Sequence, residues 1–95
     1  MTVEELKKEL EKITSGLTST GFESIDSGTV EKLEKLSAAA GEAGMKEGKH
    51  LIGNLLTAIK AIQEGKSKAE SGNLRLTALD FYLKNLSGSE NIEDL

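Results

Sequence analysis

His50 is the single histidine of this 95-residue chain, and its neighbours suit it to chemistry. On a helical wheel of about 100° per residue it points away from the apolar side of its predicted helix. It shares that outer side with Lys46, Gly53 and Asn54, so that a cation lies one turn before it and a small residue lies close by. An accessible imidazole with a nearby positive charge and no bulky neighbour has the features that a phosphoryl-accepting histidine requires. His50 is therefore a candidate phosphoacceptor.

The segment HLIGN at residues 50–54 resembles the motif of histidine phosphotransfer domains, which are four-helix bundles of about this size. In that family a lysine follows the histidine by three positions and a glycine by four, whereas Gly53 and Asn54 stand there in this chain. The resemblance implies phosphorelay signalling through His50, with Lys46 supplying the positive charge. The simpler interpretation, which we favour, is that His50 is a surface residue without a catalytic role.

The rest of the composition offers little chemistry. Sixteen acidic and 12 basic residues give a net charge of −4 without a basic stripe, so we expect no nucleic-acid partner. The chain lacks cysteine and has one histidine and no Asp-rich loop, so we expect no metal and no cofactor. Its carboxylates lie on solvated helix faces, and its glycines do not form a phosphate loop. We expect neither an enzyme nor a small-molecule ligand.

The sequence also bears on location. The start MTVEELKKEL lacks the apolar core of a signal peptide, and the apolar runs are far shorter than the ~20 residues of a membrane span. We therefore expect a cytoplasmic protein without a membrane partner. A third hypothesis, a small secreted hairpin similar to type VII substrates, is suggested only by length and the absence of cysteine. The Trp-x-Gly turn of that family is missing, so we rank this hypothesis last.

The elements that position these residues are predicted to be helices. Leu and Ala dominate the apolar residues, aromatic residues are few, and proline is absent, all of which favours an all-α fold. Apolar periodicity predicts a single antiparallel bundle of about four helices, at approximately 3–15, 30–40, 45–64 and 68–86, of which the third and fourth form a tight αα-hairpin. The bundle domain is expected at 1–88, followed by an acidic, frayed tail at 89–95.

Three features of the connections carry further expectations. Gly16 is expected to end the first helix, and the Ser/Thr/Gly-rich segment at 15–29 is expected to fold onto the bundle end as an ordered lid. The glycines Gly41 and Gly44 either end the second helix or bend one long rod, and both alternatives stay open.

The fourth helix supplies the candidate partner contact. Its apolar residues Leu74, Ala78, Phe81 and Tyr82 are expected to widen the core-facing stripe. Because Phe81 and Tyr82 are adjacent, at least one of them must lie on the flank of the bundle, where it could contact another chain. The sequence thus favours a non-enzymatic interaction or adaptor domain, binding a protein partner or a second copy through its third and fourth helices. Histidine phosphotransfer is the alternative.

Overall fold

The structure is a computed structural model that describes residues 2–22 and 25–93, with side chains described as far as residue 86. It contains four helices, α1 (Val3–Thr20), α2 (Ser27–Glu42), α3 (Lys46–Gln63) and α4 (Ala69–Glu93), and the described residues form no strand. The predicted all-α class and the number of helices are confirmed.

The four helices form a closed square in cross-section. α3 packs closely against α2 and α4, while α1 packs less extensively against the same two helices. In the diagonal pairs, α1 with α3 and α2 with α4, no Cα atoms of the described residues approach within 8 Å. Because each short connection turns the chain back alongside the preceding helix, the bundle is antiparallel with up-down-up-down topology. The apolar side chains of α3 thus face two neighbouring helices.

One hydrophobic core runs along the axis of this square. It is built from leucine and isoleucine side chains that recur every three or four residues, so that each helix turns one stripe inward. The fully buried large residues come from all four helices: Leu6, Leu10, Leu33, Ile52, Leu55, Ile59, Leu79 and Leu83.

Helix α1 is longer than expected, since the predicted end at Gly16 is wrong. Gly16 is helical, and the hydroxyls of Thr18 and Thr20 donate to backbone carbonyls four residues earlier at 2.8 Å, which the helical geometry permits. The helix ends instead at Gly21, whose φ of 78° suits glycine and few other residues. The chain then folds back and buries Phe22, so the predicted ordered lid begins only after Thr20.

Helix α2 begins three residues before its predicted start. The Oδ1 atom of Asp26 accepts a hydrogen bond from the Thr29 amide at 2.8 Å, which makes Asp26 the N-cap. At the other end, Ala43–Met45 separates α2 from α3, and Gly44 adopts a φ of 81°. Of the two alternatives left open for this segment, the structure therefore has a break and not a bent rod.

The hairpin of α3 and α4 is confirmed, but the end of α4 differs from the expectation. Gly65 has a φ of 76°, and the Lys66 amide donates to the carbonyl of Ala61 at 2.8 Å, which closes the tight turn. The predicted end of α4 at residue 86 is wrong, because the helix continues through Gly88 to Glu93. The segment predicted as a frayed tail, 89–95, is thus helical to Glu93, and its last two residues lie outside the described part of the chain.

Candidate functional site

His50 lies in the second turn of α3 and is exposed. The core side of the same helix is formed by Ile52, Leu55 and Ile59, all fully buried, so His50 is directed outward as the wheel indicated. The helix holds the backbone of His50 rigidly while its imidazole stays open to an incoming molecule.

The residues predicted to surround His50 do come together. A shallow depression of about 430 Å³ is lined by six residues of α3 and one of α2: Lys46, Lys49, His50, Gly53, Asn54, Thr57 and Ser37. The sequence did not single out Lys49 or Ser37. Lys49 adjoins His50 and lies one turn from Lys46, a spacing that could have revealed it, whereas Ser37 enters only through the packing of α2 on α3.

The surface around His50 is both open and positively charged. A Cβ atom on Gly53 would meet no heavy atom within 4 Å, so packing does not require glycine there and free space adjoins the depression. The stem of Lys49 extends over Gly41 of α2, where a Cβ would lie 3.0 Å from the lysine Cδ. Within the described residues, neither Lys46 nor Lys49 forms an ion pair. Two lysines beside an exposed imidazole can attract an anionic reactant.

The adjacent aromatic residues of α4 have different environments. Tyr82 is half-buried and lies across Gly48 of α3, where a Cβ atom would come within 3.1 Å of both Cε2 and the phenolic oxygen. Burial, aided by the charge of Glu47, raises the pKa of Tyr82 above its ordinary value of 10.0. Tyr82 thus belongs to the α3–α4 contact.

Phe81 faces the opposite way and is 68% exposed. Leu74, seven residues earlier, is 65% exposed, and Ala78 between them is exposed as well. Because residues spaced by four and three lie on one side of a helix, these residues form one surface, which we call the α4 stripe (Leu74, Ala78 and Phe81). Leu74 and Phe81 are the two large hydrophobic residues that the described part of the chain leaves exposed.

The α4 stripe corrects the expectation that these residues widen the core-facing side. The core side of α4 is formed by Gly72, Leu76, Leu79 and Leu83, all of which are buried. On a wheel this set lies about 180° from the α4 stripe, so α4 has two separate apolar faces. Of the four residues predicted to widen the stripe, Tyr82 alone packs against the core cluster.

A second depression, of about 720 Å³, lies between α1 and α4 and is lined mainly by hydroxyl, amide and charged side chains. Its buried residue Thr14 already donates from Oγ1 to the carbonyl of Glu11 at 3.1 Å. In the described chain no buried side-chain polar atom lacks a hydrogen-bond partner. The groove therefore shows no group that a ligand would have to satisfy.

Three carboxylates have altered pKa values, all in the direction that favours the charged form. A hydrogen bond from the Thr2 backbone amide lowers the pKa of Glu5, the Thr29 amide does so for Asp26, and hydrogen bonds from Lys32 and Lys12 lower that of Glu9. A general acid needs the opposite shift, so these groups act as helix caps and ion-pair partners. The described residues also contain no cluster of His, Cys, Asp or Glu suited to a metal ion.

Comparison with known proteins finds no matching family model, no similar curated protein and no similar solved structure. Among the described residues, none of the helices has both the length and the apolar character needed to cross a membrane.

Proposed function

We propose that this chain is a non-enzymatic interaction domain of the cytoplasm that binds a protein partner through the α4 stripe. The supporting observation is the exposure of Leu74 and Phe81 on one face of α4, opposite the face that builds the core. Burying a large apolar side chain contributes about 1.5–3 kcal/mol relative to leaving it in water. Two such residues flank an exposed alanine, and burying this surface against a partner would favour binding.

Site-specific photo-crosslinking in cells tests this proposal. A benzophenone amino acid is placed at Phe81 and, in a control variant, at Lys35, an exposed position on α2. We expect protein adducts from position 81 and not from position 35, because the α4 stripe contacts the partner. Equal labelling at both positions, or none at position 81, would contradict the proposal. Mass spectrometry of the adducts identifies the partner.

Phosphotransfer through His50 is a second candidate, favoured by one observation. The imidazole is exposed beside the open space at Gly53 and is flanked by Lys46 and Lys49. In the reaction, an imidazole nitrogen attacks the phosphorus of a phospho-aspartate, the P–O bond breaks as a P–N bond forms, and the aspartate carboxylate is released. The lysines would offset the charge of the transferred group.

A phospho-donor assay tests the second candidate. The chain is incubated with several phosphorylated receiver domains, and acid-labile phosphate on the protein is measured. Phosphotransfer requires that the wild type is labelled and that His50→Gln, which keeps a polar side chain of similar reach, is not. No labelling from any donor, or labelling that persists in His50→Gln, would exclude this candidate.

A further inference from the structure

We propose that the partner of the α4 stripe is a second copy of this chain, bound with its α4 antiparallel to the first. This inference rests on the proposed function, since it names the partner of the same surface. A twofold interface requires a patch that is complementary to itself. The sizes, spacing and charges along α4 meet this requirement.

The α4 stripe is complementary in shape to an antiparallel copy of itself. Leu74 and Phe81 flank the small Ala78 at intervals of four and three residues, so about 10 Å of helix axis separates the two large side chains. A twofold axis beside residues 77 and 78 sets Leu74 of each copy opposite Phe81 of the other. The result is two equal Leu–Phe layers around a small centre. A parallel pairing would instead set Phe81 on Phe81 and leave a gap at Ala78.

The charge of this part of α4 also permits the pairing. The whole chain has a net charge of −4, but the part of α4 that carries the stripe, from Glu70 to Lys84, has two acids and two bases and is neutral, and the two further acids of α4, Glu90 and Glu93, come after it in the sequence. Two copies can therefore approach along α4 with less repulsion than along an acidic face.

The charges beside the stripe also match across the twofold axis. Glu70 and Lys84 lie on the same flank of the stripe. The midpoint between them along the helix nearly coincides with the midpoint between Leu74 and Phe81, where the twofold axis passes. The antiparallel pairing therefore sets Glu70 of one copy near Lys84 of the other, twice per dimer. Glu70 forms no ion pair among the described residues, and Lys84 is 73% exposed although it pairs with Asp80. Each dimer would thus gain two charge pairs at the rim of the interface.

The length of the α4 stripe determines how strong a dimer we expect. Two helical turns bury less surface than an obligate dimer interface, so the dimer should be weak and reversible. Sedimentation equilibrium at protein concentrations up to about 0.5 mM detects dissociation constants in the ~100 µM range. We expect concentration-dependent dimers of the wild type. The double variant Leu74→Gln/Phe81→Gln, checked for native helicity by circular dichroism, should weaken dimerisation at least about tenfold.

Disulfide cross-linking locates the contact, and the cysteine-free chain makes it unambiguous. Ala78→Cys places a thiol beside the twofold axis, and Ala38→Cys places one at an exposed position of α2 as the matched control. Under copper–phenanthroline oxidation we expect a covalent dimer from Ala78→Cys and little from Ala38→Cys, because disulfides need Cα atoms within about 7 Å.

Any of three results would overturn the inference. A strictly monomeric wild type, a dimer that the double variant leaves intact, or equal cross-linking from both cysteines would do so. If the chain is monomeric but position 81 photo-crosslinks to a different protein, the second copy is excluded and the proposed function stands. If both the self-association and the photo-crosslinking fail, the proposed function fails as well.

Discussion

The ring of Phe22 occupies the space that a side chain at Gly72 would need. A Cβ atom on Gly72 would lie 2.8 Å from Cε1 and Cζ of Phe22 and 2.9 Å from Cδ1 of Ile62. The absence of a side chain at Gly72 of α4 thus lets Phe22, two residues after the end of α1, reach the core. This contact holds Phe22 against the bundle, and the 3.3 Å hydrogen bond from Gln63 Nε2 to the carbonyl of Ile25 holds Ile25 beside the end of α3.

Gly72→Ala should therefore destabilise the bundle, although alanine is the better helix former. Overpacking costs about 1–3 kcal/mol, partly offset by about 1 kcal/mol of helix propensity. Gly16→Ala is the matched control, because a Cβ there meets nothing within 4 Å and should stabilise α1 by up to ~1 kcal/mol. Urea unfolding of both variants measures the difference. An equal gain in stability for the two substitutions would show that Phe22 does not pack on Gly72.

Tyr82 should ionise above its ordinary pKa of 10.0, since burial disfavours the phenolate. The unfolded chain then loses the Tyr82 proton at lower pH than the folded chain. The contribution of Tyr82 to the free energy of unfolding is therefore fully present below pH 10.0. It declines as pH rises through the pKa of the unfolded chain and then that of the folded chain. Tyrosinate absorbance measures the folded pKa directly, since Tyr82 is the single tyrosine. Tyr82→Phe should remove this part of the alkaline decline, and an unshifted titration would contradict the α3–α4 packing.

Asp26 should stabilise α2 in a pH-dependent manner. Hydrogen bonds from Thr29 lower its pKa below the ordinary 3.8, so the stabilisation is present above that value and is lost as pH falls through the folded pKa. Asp26→Ala should lower the urea midpoint near neutral pH, whereas Asp26→Asn, which retains an acceptor oxygen, should change it little. The difference in urea midpoint between wild type and Asp26→Ala should become smaller in acid. A difference that does not change with pH would contradict the assignment of Asp26 as the N-cap.

The helices themselves follow from local sequence, as the first turn of α1 shows. Thr2 and Glu5 exchange two hydrogen bonds of 3.1 Å, the capping box that their spacing predicts. The positions of glycine predicted the helix ends less well. Gly16 and Gly88 lie inside helices while Gly21 ends one, because a glycine stops a helix only where the chain must turn, and tertiary packing decides that.

The surroundings of His50 were predictable as far as they lie on one helix. The spacing of Lys46, Gly53 and Asn54 places them beside His50 on α3, but Ser37 arrives through packing between helices. The orientation of Leu74 and Phe81 was also beyond local rules. Apolar residues cover about two thirds of the circumference of α4, so periodicity alone did not separate its core face from its outer face.

One apolar face of α4 builds the core, and we propose that the other, the α4 stripe, binds a partner. The unfolding free energy of Leu74→Gln/Phe81→Gln, measured in dilute protein beside Leu79→Ala, tests this claim most directly. We expect the double variant to lie within about 0.5 kcal/mol of wild type, since both side chains are exposed, and Leu79→Ala to lose about 2–5 kcal/mol. A loss in the double variant as large as that of Leu79→Ala would place Leu74 and Phe81 in the core and contradict the account.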